Sequence, residues 1–151
     1  MNKKIYIITL IVILIDQLIK LLVNYNDINL IVIPNFLTLI NVHNKGAAFS
    51  MLSGHNTLII FFSIILFIVL ISMYKKEFKN NDNKSYQIVF GILFGGILGN
   101  LIDRVFKGEV IDYVSLQFGN YYYPVFNIAD IAITIGVLLL IYIIIKEKDK
   151  K

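Results

Sequence analysis

The chain contains no cysteine, which excludes a disulfide framework, thiol catalysis and thiolate-held metal. Histidine is almost as scarce. His43 and His55 are the only two, too few for a histidine-rich metal site, and no HExxH-type spacing occurs. Charged residues make up 16% of the 151, against 58% hydrophobic. Soluble domains run at about 45–50% apolar, so composition places the chain in the membrane class. Its length fits one domain, and no internal repeat is evident. The net charge of +4 sits mostly on lysines at the ends of apolar runs, a pattern of membrane orientation and not of nucleic-acid binding.

Four apolar runs stand out, over 5–23, 57–74, 86–102 and 128–145, each 17 to 19 residues long. A spanning helix needs about 20 residues at about 1.5 Å each, so four transmembrane helices are predicted. The third run is the shortest and the richest in glycine. Lys3 and Lys4 before the first run imitate a secretory signal. Asp16, Gln17 and Lys20 follow its core, however, and no small-x-small cleavage site does. The run reads as an uncleaved helix.

Lysine placement sets the predicted orientation. Lys3 and Lys4, the loop with Lys75, Lys76, Lys79 and Lys84, and the tail with Lys146, Lys148, Lys150 and Lys151 put ten basic residues on one side. The other side has Lys45, Arg104 and Lys107, with Lys20 near a helix end. Both termini are expected in the cytoplasm, with Asp112 outside and Asp130 at the outer end of the fourth helix. Residues 36–42 are strand-like, with Pro34 before them and Asn44-Lys45-Gly46 after. A small external β-element over about 30–56, resting on the membrane surface, is predicted. Tyr121, Tyr122 and Tyr123 are placed for an interfacial aromatic belt.

Several polar residues are candidates for chemistry. Asp16 and Lys20 lie four apart on one helix face, and ionisable groups within a span are functional suspects. An ion pair with Lys20 reaching to the interface is the plainer reading. Asn44-Lys45-Gly46-Ala47-Ala48-Phe49 reads as a turn into a small-residue patch. Ser50 and Ser53 near Lys45 raise a serine–lysine peptidase, which needs a desolvated lysine that a polar turn does not supply. Gly91, Gly95 and Gly99 form overlapping GxxxG spacings suited to close helix packing in a bilayer. Asn100, Asp103 and Arg104 follow at the outer end and read either as interfacial polarity or as support for the external loop.

Asp112 and Asp130 are the sharpest pair. Each stands among apolar neighbours, where burial disfavours the charged form, and two converging carboxylates can share a proton and work as base and acid. The plainer reading is a solvated loop carboxylate for Asp112 and a dipole-favoured helix-start residue for Asp130.

Taken together, the blocks Asp16-Gln17 with Lys20, Asn44-x-Gly46-Ala47-Ala48-Phe49, Gly99-Asn100-x-x-Asp103-Arg104, Val110-Ile111-Asp112-Tyr113 and Phe126-Asn127-x-Ala129-Asp130 resemble those of the lipoprotein signal peptidases (signal peptidase II). These are bacterial membrane aspartic peptidases. The resemblance runs in family order over essentially the whole chain. It implies an all-α membrane protein with four transmembrane helices and a small extracytoplasmic β-cradle. It also implies a catalytic dyad of Asp112 and Asp130. Asp16, Lys20, Asn44, Gly46, Asn100, Asp103, Arg104, Asn127 and Ala129 would bind substrate or support the dyad. The implied reaction removes the signal peptide of a diacylglyceryl-modified prolipoprotein before the lipidated cysteine, with no metal or organic cofactor. The expected setting is the bacterial cytoplasmic membrane, the expected partners are that substrate and membrane lipid, and the expected state is a monomer. Tyr113 stands where the family often has Phe, and Ile19 where it has Ser or Thr. A proton-relay or transport subunit using Asp16 and Asp130 is the alternative of a different class, weakened by the lack of mid-helix charge. A purely structural membrane subunit is a third option, but it leaves the clustering of acids on one side unexplained.

Overall fold

A computed structural model describes residues 2–46, 52–79 and 84–148. In chain order it has α1 (Lys3–Asn26), β1 (Asn29–Ile33), β2 (Leu37–Asn44), α2 (Asn56–Met73), α3 (Ser85–Phe106), β3 (Val110–Phe118), β4 (Tyr121–Tyr122) and α4 (Ile128–Lys148). A single π-helical turn, Tyr74–Phe78, continues α2. α1, α3 and α4 run a few residues past the apolar runs. α1 starts on the Asn2 side chain, which accepts from Lys4 N–H, and stops where Asp27 turns left-handed at φ 44°.

α3 is the inner helix. Its Val89, Phe90, Leu93, Phe94 and Ile97 are all nearly inaccessible, and glycines let its neighbours approach. An added Cβ on Gly95 would lie 2.5 Å from Val12 of α1, and one on Gly96 2.5 Å from the Ala129 carbonyl of α4. So α1 and α4 pack on different faces of α3 at backbone distance, as small residues permit in a bilayer. α2 joins through Phe67, set edge-on to Phe94 with centroids 5.2 Å apart. Leu10, Leu14, Leu18 and Leu21 on α1, Phe61 and Phe62 on α2, and Leu138, Ile141 and Ile145 on α4 stay exposed. That surface suits hydrocarbon. Each of the four helices is long and apolar enough to cross a membrane.

The β-element is larger than the sequence reading had it. β1 and β2 fall within the predicted external segment, but β3 and β4 come from the second external segment, and all four form one antiparallel sheet in the order β1-β2-β3-β4. The first four residues of β3 are all buried, and only its second half, Val114 to Phe118, alternates apolar with polar. With half a strand of alternation and no short hairpin to β2, its pairing was not legible. All three tyrosines are exposed, Tyr121 and Tyr122 on β4, and Tyr123 also lines the cavity described next.

Candidate active site

The β2–β3 register pairs Val42 with Asp112 and Asn44 with Val110. Asn44 and Asp112 are therefore diagonal neighbours on one face of the sheet, within side-chain reach. Asn44 donates from Nδ2 to Asp112 Oδ2 at 2.7 Å, and its Oδ1 accepts the Gly46 N–H at 2.9 Å. The second contact is an Asx turn. Beyond β3 the chain returns alongside it. The Phe126 carbonyl accepts from both Tyr113 and Val114 N–H groups, and Phe126 N–H donates back to the Val114 carbonyl. This clamp delivers Asn127 and the start of α4 to the side of Asp112.

α4 begins with a capping box. Asn127 Oδ1 accepts from Asp130 N–H at 3.0 Å, and Asp130 Oδ2 accepts from Asn127 N–H at 3.1 Å. The remaining N–H groups of the first turn go to other elements: Ile128 to the Tyr113 hydroxyl and Ala129 to Asp16 Oδ1, both at 3.1 Å. The helix end is thus held by α1 and β3 at once. Asn127 Nδ2 donates to Asp112 Oδ1 at 2.6 Å and to Asn100 Oδ1 at 3.1 Å. Asn100 Nδ2 in turn donates to Asp130 Oδ1 at 2.8 Å. Every carboxylate oxygen of Asp112 and Asp130 accepts one bond from an asparagine. That arrangement fixes both carboxylates and leaves each oxygen a free lone pair.

Behind this layer lies a buried ion cluster. Lys20 Nζ sits 2.8 Å from Asp16 Oδ2 and 2.7 Å from Asp103 Oδ2, and donates to Asn100 Oδ1 at 2.9 Å. Lys20 is wholly inaccessible, so the reading in which it reaches to the interface is corrected: three acceptors from α1 and α3 hold it inside. Asp103 also meets Lys107 at 2.8 Å. Arg104, adjacent to Asp103, points elsewhere and donates from Nη2 to the Gly46 carbonyl at 2.9 Å. Ala129 is fully buried, with its carbonyl beside Gly96 and its Cβ beside Gly99.

Asp112, Asp130, Asn44, Gly46, Asn100 and Arg104 line a common cavity of about 580 Å³. Burial, helped by the Asp130 charge, pushes the Asp112 carboxyl up to about 6, against hydrogen bonds from Asn44 and Asn127 and the charge of Lys20. Burial also raises the Tyr113 hydroxyl, keeping it protonated. Around the site Asp16, Asp103, Asp112 and Asp130 face the cations Lys20, Arg104 and Lys107.

Each of the eleven site residues singled out in the sequence lies in this cluster or directly against it. Ala47, Ala48 and Phe49 of the second motif, and Ser50 of the serine–lysine reading, lie outside the described residues. Lys45 is exposed and 4.0 Å from Glu109, which gives no support to a serine–lysine site. Two contributors escaped sequence reasoning. The Tyr113 hydroxyl, absent from a Phe, takes the Ile128 N–H. Asn56 at the start of α2 donates to the Arg104 carbonyl at 2.9 Å, and no sequence signal marks it.

Comparison with known proteins gives this geometry a context. The family model for signal peptidase (SPase) II matches residues 8–146. The lipoprotein signal peptidase of Staphylococcus haemolyticus (strain JCSC1435) is 39% identical, covering 100% of this chain and 99% of that protein. The one from Listeria monocytogenes (serotype 4a, strain HCC23) is 38% identical over 97% of this chain and 96% of its own. A solved structure described as a bacterial membrane enzyme superposes with a TM-score of 0.87 at 36% identity, covering 97% of this chain and 90% of that one. A second, of the same description, gives 0.82 at 36% identity over 94% and 92%. Agreement at that length, in sequence and in fold, makes this multi-pass membrane protein a member of the signal peptidase II family.

Proposed function

We propose that the chain is an aspartic endopeptidase that removes the signal peptide from diacylglyceryl-modified prolipoproteins, cutting just before the lipidated cysteine, with Asp112 and Asp130 as its catalytic pair. One observation carries the reading: both carboxylates line one cavity, each oxygen held by an asparagine. The substrate class comes from the relatives, which are lipoprotein signal peptidases.

In this reading the pair works with one shared proton. The ionised carboxylate takes a proton from water as its oxygen bonds to the scissile carbonyl carbon, and the protonated one donates to the carbonyl oxygen. The tetrahedral intermediate then collapses. The C–N bond breaks as the amine nitrogen takes the proton held by the first carboxyl, while the second carboxylate takes back a proton from a hydroxyl of the intermediate, so the pair is left with one proton as at the start. Asn44, Asn100 and Asn127 hold the carboxylates in place through both steps. Lys20, with Asp16 and Asp103, supports Asn100 from behind. Arg104 and Gly46 tie the outer loop to α3. Ala129 lets α4 approach closely enough to present Asp130.

The placement suits such a substrate, whose signal peptide is an apolar helix and whose acyl chains stay in the bilayer. We place the site at the extracytoplasmic face of a bacterial cytoplasmic membrane, with both termini in the cytoplasm. One copy supplies both acids, so a monomer is sufficient. A proton-relay reading finds less support, because Asp16, Lys20, Asp103, Arg104 and Asp130 all gather at the sheet end of the helices.

Purified protein in detergent, given a diacylglyceryl-modified prolipoprotein, tests the reaction. Mass spectrometry should find a released peptide that ends immediately before the modified cysteine, in equal amount with and without a chelator. A different cleavage position, or no cleavage by folded protein, would overturn the assignment.

A further inference from the structure

Of the polar groups on the cavity wall that have no part in the scheme above, His43, Lys45, Ser53 and Tyr123 come from outside the helices, and Thr134 comes from α4. Thr134 follows Asp130 by four residues on α4, so it shares a face with it and sits about 6 Å further from the sheet. It lines the cavity beside Ile133. Its hydroxyl is committed to no hydrogen bond among the described residues. The amides nearby are spent, since Asn44, Asn100 and Asn127 all donate to the carboxylates. Ser63 on α2 shows the ordinary fate of a hydroxyl within a span: it returns to the Ile59 carbonyl one turn back at 2.8 Å. Thr134 does not.

We infer that the Thr134 hydroxyl is a substrate-binding group, donating a hydrogen bond to a backbone carbonyl of the signal peptide on the N-terminal side of the scissile bond. The inference rests on the peptidase reading and says how the substrate chain is held. A signal peptide that reaches the pair from within the membrane must leave its helix to be cut, and a helix end exposes its last four carbonyls. Hydrocarbon offers them no donor, so the cavity must. Arg104 and Lys45 stand at or beyond the level of the pair, toward the sheet and the outer loop. One turn past Asp130, toward the membrane, α4 contributes Ile133 and Thr134 to the lining, and only the threonine can donate.

Steady-state cleavage of a diacylglyceryl-modified prolipoprotein by wild type, Thr134→Val and Thr134→Ser tests this. Valine keeps the shape and removes the donor; serine keeps the donor and removes the methyl. Thr134→Val should raise KM about 5- to 10-fold, the worth of one hydrogen bond, with kcat within about twofold, the pattern of lost uniform binding. Thr134→Ser should keep KM within about twofold of wild type. An unchanged KM in Thr134→Val would overturn the inference, and so would an equal rise in Thr134→Ser, which would assign the effect to methyl packing. Absence of cleavage by wild type would instead overturn the peptidase reading on which the inference rests.

Discussion

Burial holds the Asp112 carboxyl up to about 6, and under the proposed mechanism that sets how the reaction should respond to pH. That mechanism needs one carboxyl of the pair protonated and the other ionised. As pH rises through the higher apparent value the pair loses its proton, and kcat/KM should fall on the alkaline side around 6 or above. A second decline on the acid side follows when both are protonated, so the profile should be bell-shaped, reporting the pair and not either residue alone. The Asn44 amide favours the ionised form of Asp112. Asn44→Ala should therefore move the alkaline limb upward as well as slow turnover by about 10-fold or more, through lost positioning. A pH–rate series on the two proteins checks both. An alkaline limb that moved down in Asn44→Ala would show that this amide does not act on the ionised carboxylate.

At the scale of elements, the start of α4 depends on groups distant in sequence. Asp16→Ala would strip the Ala129 N–H of its acceptor and remove one of two carboxylates from buried Lys20. Breaking a buried pair in this way costs about 3–5 kcal/mol, to be read as a lower unfolding temperature in detergent. Gly96→Ala acts by shape. Its Cβ would press on the Ala129 carbonyl at 2.5 Å and on Ile133 at 2.8 Å, an overpacking of about 1–3 kcal/mol that also displaces Asp130. A similar change at Gly119, where an added Cβ meets open space, strains only its left-handed turn. The unfolding temperatures should separate the two sites, with activity lost at Gly96 and retained at Gly119.

These same elements show what was legible beforehand. The helices were, because unbroken apolar runs near bilayer length have few other uses. The one-face placement of Asp16 and Lys20 was too, by helical spacing. The acceptors that bury Lys20 were not, since Asp103 and Asn100 come from a helix some 80 residues on, and local pattern carries no such information. The pairing of β3 was unreadable for a related reason: its buried first half does not alternate, and its partner β2 lies far back in the chain. The five motifs anticipated the cluster as a set, whereas the Tyr113 hydroxyl and Asn56 required coordinates.

The whole molecule is an inner helix with three apolar neighbours and one polar end. If that end faces away from the cytoplasm, single cysteines placed at Lys45 and Gly119 should react with a membrane-impermeant maleimide in intact cells. Cysteines at Lys75 and Lys76 should react only after lysis. The native chain has no cysteine, so it adds no background. The reverse labelling pattern would invert the topology and place the cavity in the cytoplasm.

The claim that joins these scales is that Asp112 and Asp130 act as one pair. It is tested most directly by single-turnover cleavage of a diacylglyceryl-modified prolipoprotein with wild type, Asp112→Asn and Asp130→Asn, each verified as folded by thermal unfolding. Both variants should be slower by about 10³-fold or more, since loss of either partner removes acid and base together. A folded variant of either residue that kept a tenth of the wild-type rate would take that residue out of the chemistry and contradict the account.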